Sequence, residues 1–85
     1  MKDNNLSYSL FKPGDLVWVK DNLIVAKHYG KEIFSIAMAK YCGKPFKIEH
    51  CQQVFVNNKF SHWVYALYGV TSCRFVWTYE MLERI

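Results

Sequence analysis

The side chains that could do chemistry in this chain are its three cysteines, Cys42, Cys51 and Cys73, and three histidines, His28, His50 and His62. Thiolates and imidazoles together invite a zinc site. Such sites announce themselves by local ligand pairs, and neither Cys-x-x-Cys nor His-x-x-x-His occurs here. No metal and no cofactor are therefore expected. A Cys/His nucleophile pair is the second chemistry, with Cys51 or Cys73 activated by His50 or His62. With three of each residue in 85, such pairs arise easily by chance. A domain this small also offers no deep cleft to exclude water, and there is no Gly-rich phosphate loop or carboxylate pair. The chain is expected not to be an enzyme.

Two binding chemistries remain. Lys20, Lys27, Lys31, Lys40, Lys44 and Lys47 crowd the first half, interleaved with His28, Tyr29 and Tyr41. That pattern suits phosphate contacts and base stacking. Lysines also keep loops and sheet edges in water, and only Arg74 and Arg84 are available for guanidinium readout of bases. The other chemistry is aromatic. Of the three Trp, six Tyr and six Phe, at least half must build the core. Trp18, Trp63, Tyr65 and Tyr68 can serve as anchors for a protein partner. The preferred reading is a protein-binding surface made of Trp18, Ile36, Lys40, Tyr65 and Tyr68. A nucleic-acid-binding module is the alternative, and a homodimer through the same apolar surface fits either.

These residues have to be carried by one domain, since 85 residues leave no room for a second core. Half the residues are apolar and the net charge is +4, which permits an anionic partner without requiring one. Three unpaired cysteines are too few for a small secreted scaffold. Residues 1–7 lack the apolar run of a signal peptide, and no stretch is long enough to span a membrane. A reduced, cytoplasmic protein is expected.

Along the chain, residues 1–10 are a flexible or extra-strand segment and 11–85 the folded domain. Pro13-Gly-Asp15 is a turn, and Leu16 to Lys20 a strand with Val17 and Val19 inward and Trp18 outward. Asp21 to Lys44 is too long to be structureless. Within it, Ser35 caps a short helix ended by Gly43, with Phe34, Met38 and Tyr41 inward and Ile36, Ala39 and Lys40 outward. Pro45 opens a strand with Phe46 and Ile48 inward, and Val54 to Val56 continues or bends away from it. Asn57-Asn58 turns the chain into a long aromatic strand over Lys59–Val70, bent near Gly69. Arg74 to Thr78 reads as a further strand, then Thr78 caps a single helical turn over Tyr79–Leu82, and Glu83–Ile85 closes. The expected fold is all-β: an SH3-like barrel of about five strands, with one short helix in the long first loop.

The run Phe11-Lys-Pro-Gly-Asp-Leu-Val-Trp-Val-Lys20, then Tyr29-Gly30, Phe34, Met38 and Tyr41-Cys-Gly-Lys44, and finally Trp77-Thr-Tyr-Glu-Met-Leu-Glu83, carries a resemblance. The chain resembles small SH3-like domains of phages and prophages of Gram-positive bacteria, distantly similar to the repeats of the Mind bomb ubiquitin ligases. The resemblance implies a β-barrel on a mobile genetic element and no catalysis. By analogy it implies an accessory protein acting in the host cytoplasm on a host protein such as a defence nuclease, as anti-CRISPR inhibitors do. Two departures stand out. Ile36, Ala37 and Ala39 replace a usually acidic helix face, and the Cys51–Phe60 segment is longer than the usual hairpin.

Overall fold

The computed structural model describes residues 9–70 and 75–85. The N-terminal expectation therefore falls outside the described residues except for Ser9 and Leu10, as do Cys73 and Arg74. The alternation in Leu16-Val-Trp-Val19 makes a strand with one dry face, β1 (Leu16–Val19): Val17 and Val19 are buried, Leu16 and Trp18 exposed. Next come β2 (His28–Tyr29) and β3 (Glu32–Ile33), a 3-10 helix over Ile36–Tyr41, β4 (Pro45–Val56) and β5 (Lys59–Leu67). A second 3-10 turn, Tyr79–Met81, leads into β6 (Leu82–Arg84).

The main sheet runs β5-β4-β1-β6, all antiparallel, while β2 and β3 form a separate two-stranded ribbon. A bridge between Tyr65 and Trp77 brings the returning chain onto the free edge of β5. The curled sheet is thus a half-barrel, with the long loop and its short helix after β1 and a helical turn before the last strand. This is the small all-β, SH3-like arrangement expected from the sequence.

Several local features differ from expectation. The Arg74–Thr78 strand contracts, among its described residues, to the single bridge at Trp77. Thr78 stands at the N-cap of the second helical turn, yet its hydroxyl does not cap it; it donates to the carbonyl of Tyr29 at 2.9 Å. The turn itself ends at Met81, and Leu82 already belongs to β6. The helix after Ser35 is 3-10, and Ala39 packs against the core instead of facing out. Residues Pro45 to Val56 form one strand with an irregularity between Ile48 and His50, so Val54–Val56 continues it. The following strand stops at Leu67, short of Val70.

Local chemistry explains the main connections. Gly43 has φ +76, the left-handed region that a Cβ disfavours. There its N–H bonds the Val19 carbonyl at 2.7 Å, and Lys44 O takes the Val19 N–H, extending the β1–β4 ladder. Asn57 and Asn58 both have positive φ, as a type I′ hairpin needs, and Asn tolerates this better than most residues. At the Pro13-Gly14 turn, Asp15 Oδ2 accepts the Lys12 N–H at 2.9 Å and Arg84 Nη1 at 3.1 Å. Arg84 also bonds Leu10 O and lies over the Phe11 ring, tying the first turn to the last strand.

The core joins Phe11, Val17, Val19, Phe34, Met38, Ile48, Tyr65, Leu67, Trp77 and Met81. Trp77 is its largest fully buried side chain, and Tyr41 meets it edge-on at 6.0 Å. Truncating it leaves a cavity that rigid surroundings fill only in part. Trp77→Ala should cost about 3–5 kcal/mol in denaturant titrations, much of the roughly 5–15 kcal/mol typical of a domain. The indole N–H has no partner among the described residues, so Trp77→Phe should cost clearly less. An alanine variant that melts with wild type would place Trp77 outside the core.

A second expectation concerns acid. The Lys12 N–H, aided by Arg84, holds the Asp15 carboxyl below its ordinary 3.8. A depressed folded-state value adds stability above the unfolded value and loses it as pH falls through the folded one. Wild type should therefore melt above Asp15→Asn at pH 6 to 7, and the gap should close as pH drops below about 4. A gap unchanged at pH 2 would refute the assignment.

Candidate binding surfaces

Of the groups that invited catalysis, His62 and Cys51 are used internally, while His50 is exposed. His62 is buried, and both ring nitrogens are occupied: Nδ1 faces Ser61 Oγ at 2.9 Å and Nε2 faces Glu32 Oε2 at 2.8 Å. The second contact straps the β2–β3 ribbon to β5. Cys51 donates its thiol to the Phe11 carbonyl at 3.3 Å. Burial pushes the Cys51 and Cys42 thiols up, away from the reactive thiolate. No group of three or more His, Cys, Asp and Glu that could hold a metal ion occurs among the described residues. An open cleft of about 530 Å³ is lined by Lys20 and Arg84 on one side of the charge balance and Asp21 and Glu83 on the other, and its lining holds no Cys, His or Ser. No helix among the described residues is long and apolar enough to cross a membrane.

The basic surface loses its stacking partners. Tyr29 is half-buried, edge-on to Phe34, with its hydroxyl accepting the Ile24 N–H at 2.8 Å and Lys27 above its ring. Tyr41 packs among Phe46, Phe75 and Trp77, with Lys40 above it. Both rings therefore serve the fold. Of the interleaved aromatic groups only His28 is exposed.

The expected site residues divide. Tyr65, 2% exposed, is core: it meets Phe11 edge-on and its hydroxyl accepts from Ser9 at 3.0 Å. It is not a surface anchor, because it lies on the core-facing side of β5 with Leu67 and packs against Phe11. Trp18 at 40%, Tyr68 at 54% and Ile36 at 77% exposure are on the surface, as is Lys40.

Two of these meet on one face. Leu16 pairs with Lys47 on β4, and Ile85 N–H bonds its carbonyl at 3.1 Å on the other side. Tyr68 N–H bonds Lys47 O at 3.0 Å, extending the β4–β5 pairing by one residue. Opposed residues share a sheet face, so Tyr68, Lys47, Leu16 and Ile85 form one row across four strands. Trp18, between Pro45 and Glu83, belongs to the next row. The outer face of the sheet thus carries Tyr68, Leu16, Ile85 and Trp18, all exposed, beside charged residues that include Lys47 and Glu83. Sequence alternation indicated Leu16 and Trp18; Tyr68 and Ile85 joined them only through register.

Ile36 belongs to a second surface, the lobe after β1. Ala26 N–H bonds Phe34 O at 2.7 Å and Phe34 N–H bonds Lys27 O at 2.9 Å, folding Ile24 and Val25 back beside the start of the helix. Ile24, Val25, Ile33 and Ile36 are all exposed there. Ala26 has φ 71, a conformation that costs a non-glycine residue about 1–2 kcal/mol. Relieving it with Ala26→Gly, less the added chain entropy of glycine, should raise stability by about 0.5–1 kcal/mol. A loss of stability would show that the turn does not strain Ala26. No family model, curated protein or solved structure matches the chain.

Proposed function

We propose that the chain is a non-enzymatic protein-binding module that docks through the outer face of its four-stranded sheet. One observation carries this reading: Leu16, Trp18, Tyr68 and Ile85 are exposed side by side on a face whose opposite side holds the core. Exposed apolar residues scattered singly need no explanation, but a contiguous group marks a surface that a partner covers. Trp and Tyr are also the residues whose truncation most often weakens an interface. The lobe bearing Ile36 is a secondary contact.

The resemblance to phage and prophage SH3-like domains gives the proposal its biological form. In that form the chain is an accessory protein in the host cytoplasm that inhibits a defence machine, in the manner of anti-CRISPR inhibitors. The nucleic-acid alternative is less favoured because Tyr29 and Tyr41, which would stack on bases, are packed into the fold.

Capture from bacterial host lysate, with wild type and variants as bait and nuclease treatment as control, tests the reading. Leu16→Glu and Trp18→Ala should fold normally but weaken retention of a specific protein by more than about 1 kcal/mol. Replacing Lys40 and Lys44 with Gln should do less. Binding abolished by the lysine changes, sensitive to nuclease and steeply weakened by salt would mean a polyanion partner and sink the proposal.

A further inference from the structure

The outer face of the sheet leaves unexplained the long ribbon formed by β4 and β5. Its backbone can be oriented from one pair of bonds. Tyr65 exchanges both backbone hydrogen bonds with Trp77, at 2.8 and 3.2 Å, so its polar groups point away from β4. Cys51 is its partner on β4, and in an antiparallel pair the two residues point the same way relative to their shared ladder. The N–H and C=O of Cys51 therefore point out, away from β5. So do those of Gln53 and Phe55, two and four residues on. Farther back on the same edge, Ile48 bonds Asp15 O and Gly14 N at 2.8 Å each. Beyond the irregularity at His50, no described backbone group takes over.

Among the described residues, that open edge lacks the usual protection. Exposed edges are normally blunted by lysine, proline or a bulge. Cys51-Gln-Gln-Val-Phe-Val56 contains no charge and no proline; of the two bulges, the one at Glu49 on the same strand lies before this stretch, and the one at Ser61 lies on the other strand. The bulge at Ser61 has a further effect. Because Val54 pairs with His62 but Phe55 with Phe60, it brings Phe60 onto the face of Trp63 and Phe55. The rings of Phe55 and Phe60, and of Phe60 and Trp63, stand 6.1 Å apart in each pair.

We propose that this edge pairs with the same edge of a second copy of the chain. A two-fold axis through Gln53 sets Gln53 opposite its counterpart and Cys51 opposite Phe55 of the other copy. Every outward-pointing residue then meets another, and each pair exchanges two backbone bonds. Shifting the axis to Val54 leaves Cys51 without a paired outward residue. Self-association of a chain of net charge +4 is opposed by like-charge repulsion. This uncharged stretch is where two copies can meet with the least of it. The aromatic strips of both copies then lie on one face of a continuous sheet, flanking the axis. The interface is an edge, separate from the docking face above.

Sedimentation equilibrium of the full chain tests this. Wild type should show a concentration-dependent dimer. Gln53→Pro removes an N–H that no described residue of the same chain uses, and Gln53→Lys places two like charges at the axis. Each should keep the wild-type circular dichroism yet raise the dimer dissociation constant by more than about tenfold. An equimolar mixture of Gln53→Lys and Gln53→Glu should recover the dimer, because position 53 meets only itself. Trp18→Ala should leave it intact, which separates this inference from the docking reading. Wild type that stays monomeric up to about 1 mM overturns the proposal. So does a dimer that survives both single variants, or a charge-swapped mixture no better than its components.

Discussion

The pairing of Tyr65 with Trp77 is the contact on which the rest depends. Two backbone bonds fix the returning chain against β5, and the two side chains they align are both buried. From Trp77 the core continues through Tyr41 to Phe46 and Phe75. From Tyr65 it continues through Phe11, which also meets Tyr79. The second helical turn and β6 follow directly, so the pairing also sets where Leu82 and Arg84 reach β1. The same two bonds point the backbone of β4 outward at Cys51. Core, sheet closure and open edge thus share one cause.

Much of the architecture is legible in the sequence because it rests on strong local signals. Val17 and Val19 alternate with Leu16 and Trp18, Asn57-Asn58 can adopt positive φ, and Gly43 ends its helix. What escapes the sequence depends on pairing at a distance. Tyr65 and Tyr68 read alike in an aromatic-rich strand, yet one meets Phe11 and the other opposes Lys47 in water. The β2–β3 ribbon is too short to show any periodicity, and it is held by His62–Glu32 and Thr78–Tyr29 bonds between residues far apart in sequence. Thr78 looked like a cap because a threonine precedes an acidic first turn. Its buried hydroxyl instead donates to the Tyr29 carbonyl and so ties the β2–β3 ribbon to the C-terminal part of the domain.

The candidate site shows the same division. Exposed Trp18 and Ile36 follow from alternation and helix spacing, since an apolar residue on a polar face is visible in one dimension. Their grouping is not: register carries Tyr68 and Ile85 to Leu16, while Ile36 is left with Ile24, Val25 and Ile33. The lysine-rich first half suggested phosphate binding because sequence shows proximity of charge and ring but not how each ring is used. With Tyr29 and Tyr41 packed into the fold, Lys27 and Lys40 instead hold their ammonium groups over the two ring faces.

The pairing of Val17 with Arg84 joins strands from opposite ends of the domain, and this bears on the order in which the chain folds. The β4–β5 hairpin closes over a two-residue turn and loses little loop entropy, whereas β1 and β6 must find each other across nearly the whole chain. The hairpin is therefore expected to form early and the β1–β6 seam last, with folding in the slower range of small β domains. Conservative truncations at Val64 would then slow folding, and those at Val17 would mainly speed unfolding. The reverse pattern would place the nucleus at the seam. On this order, the open β4 edge exists before the rest of the barrel does.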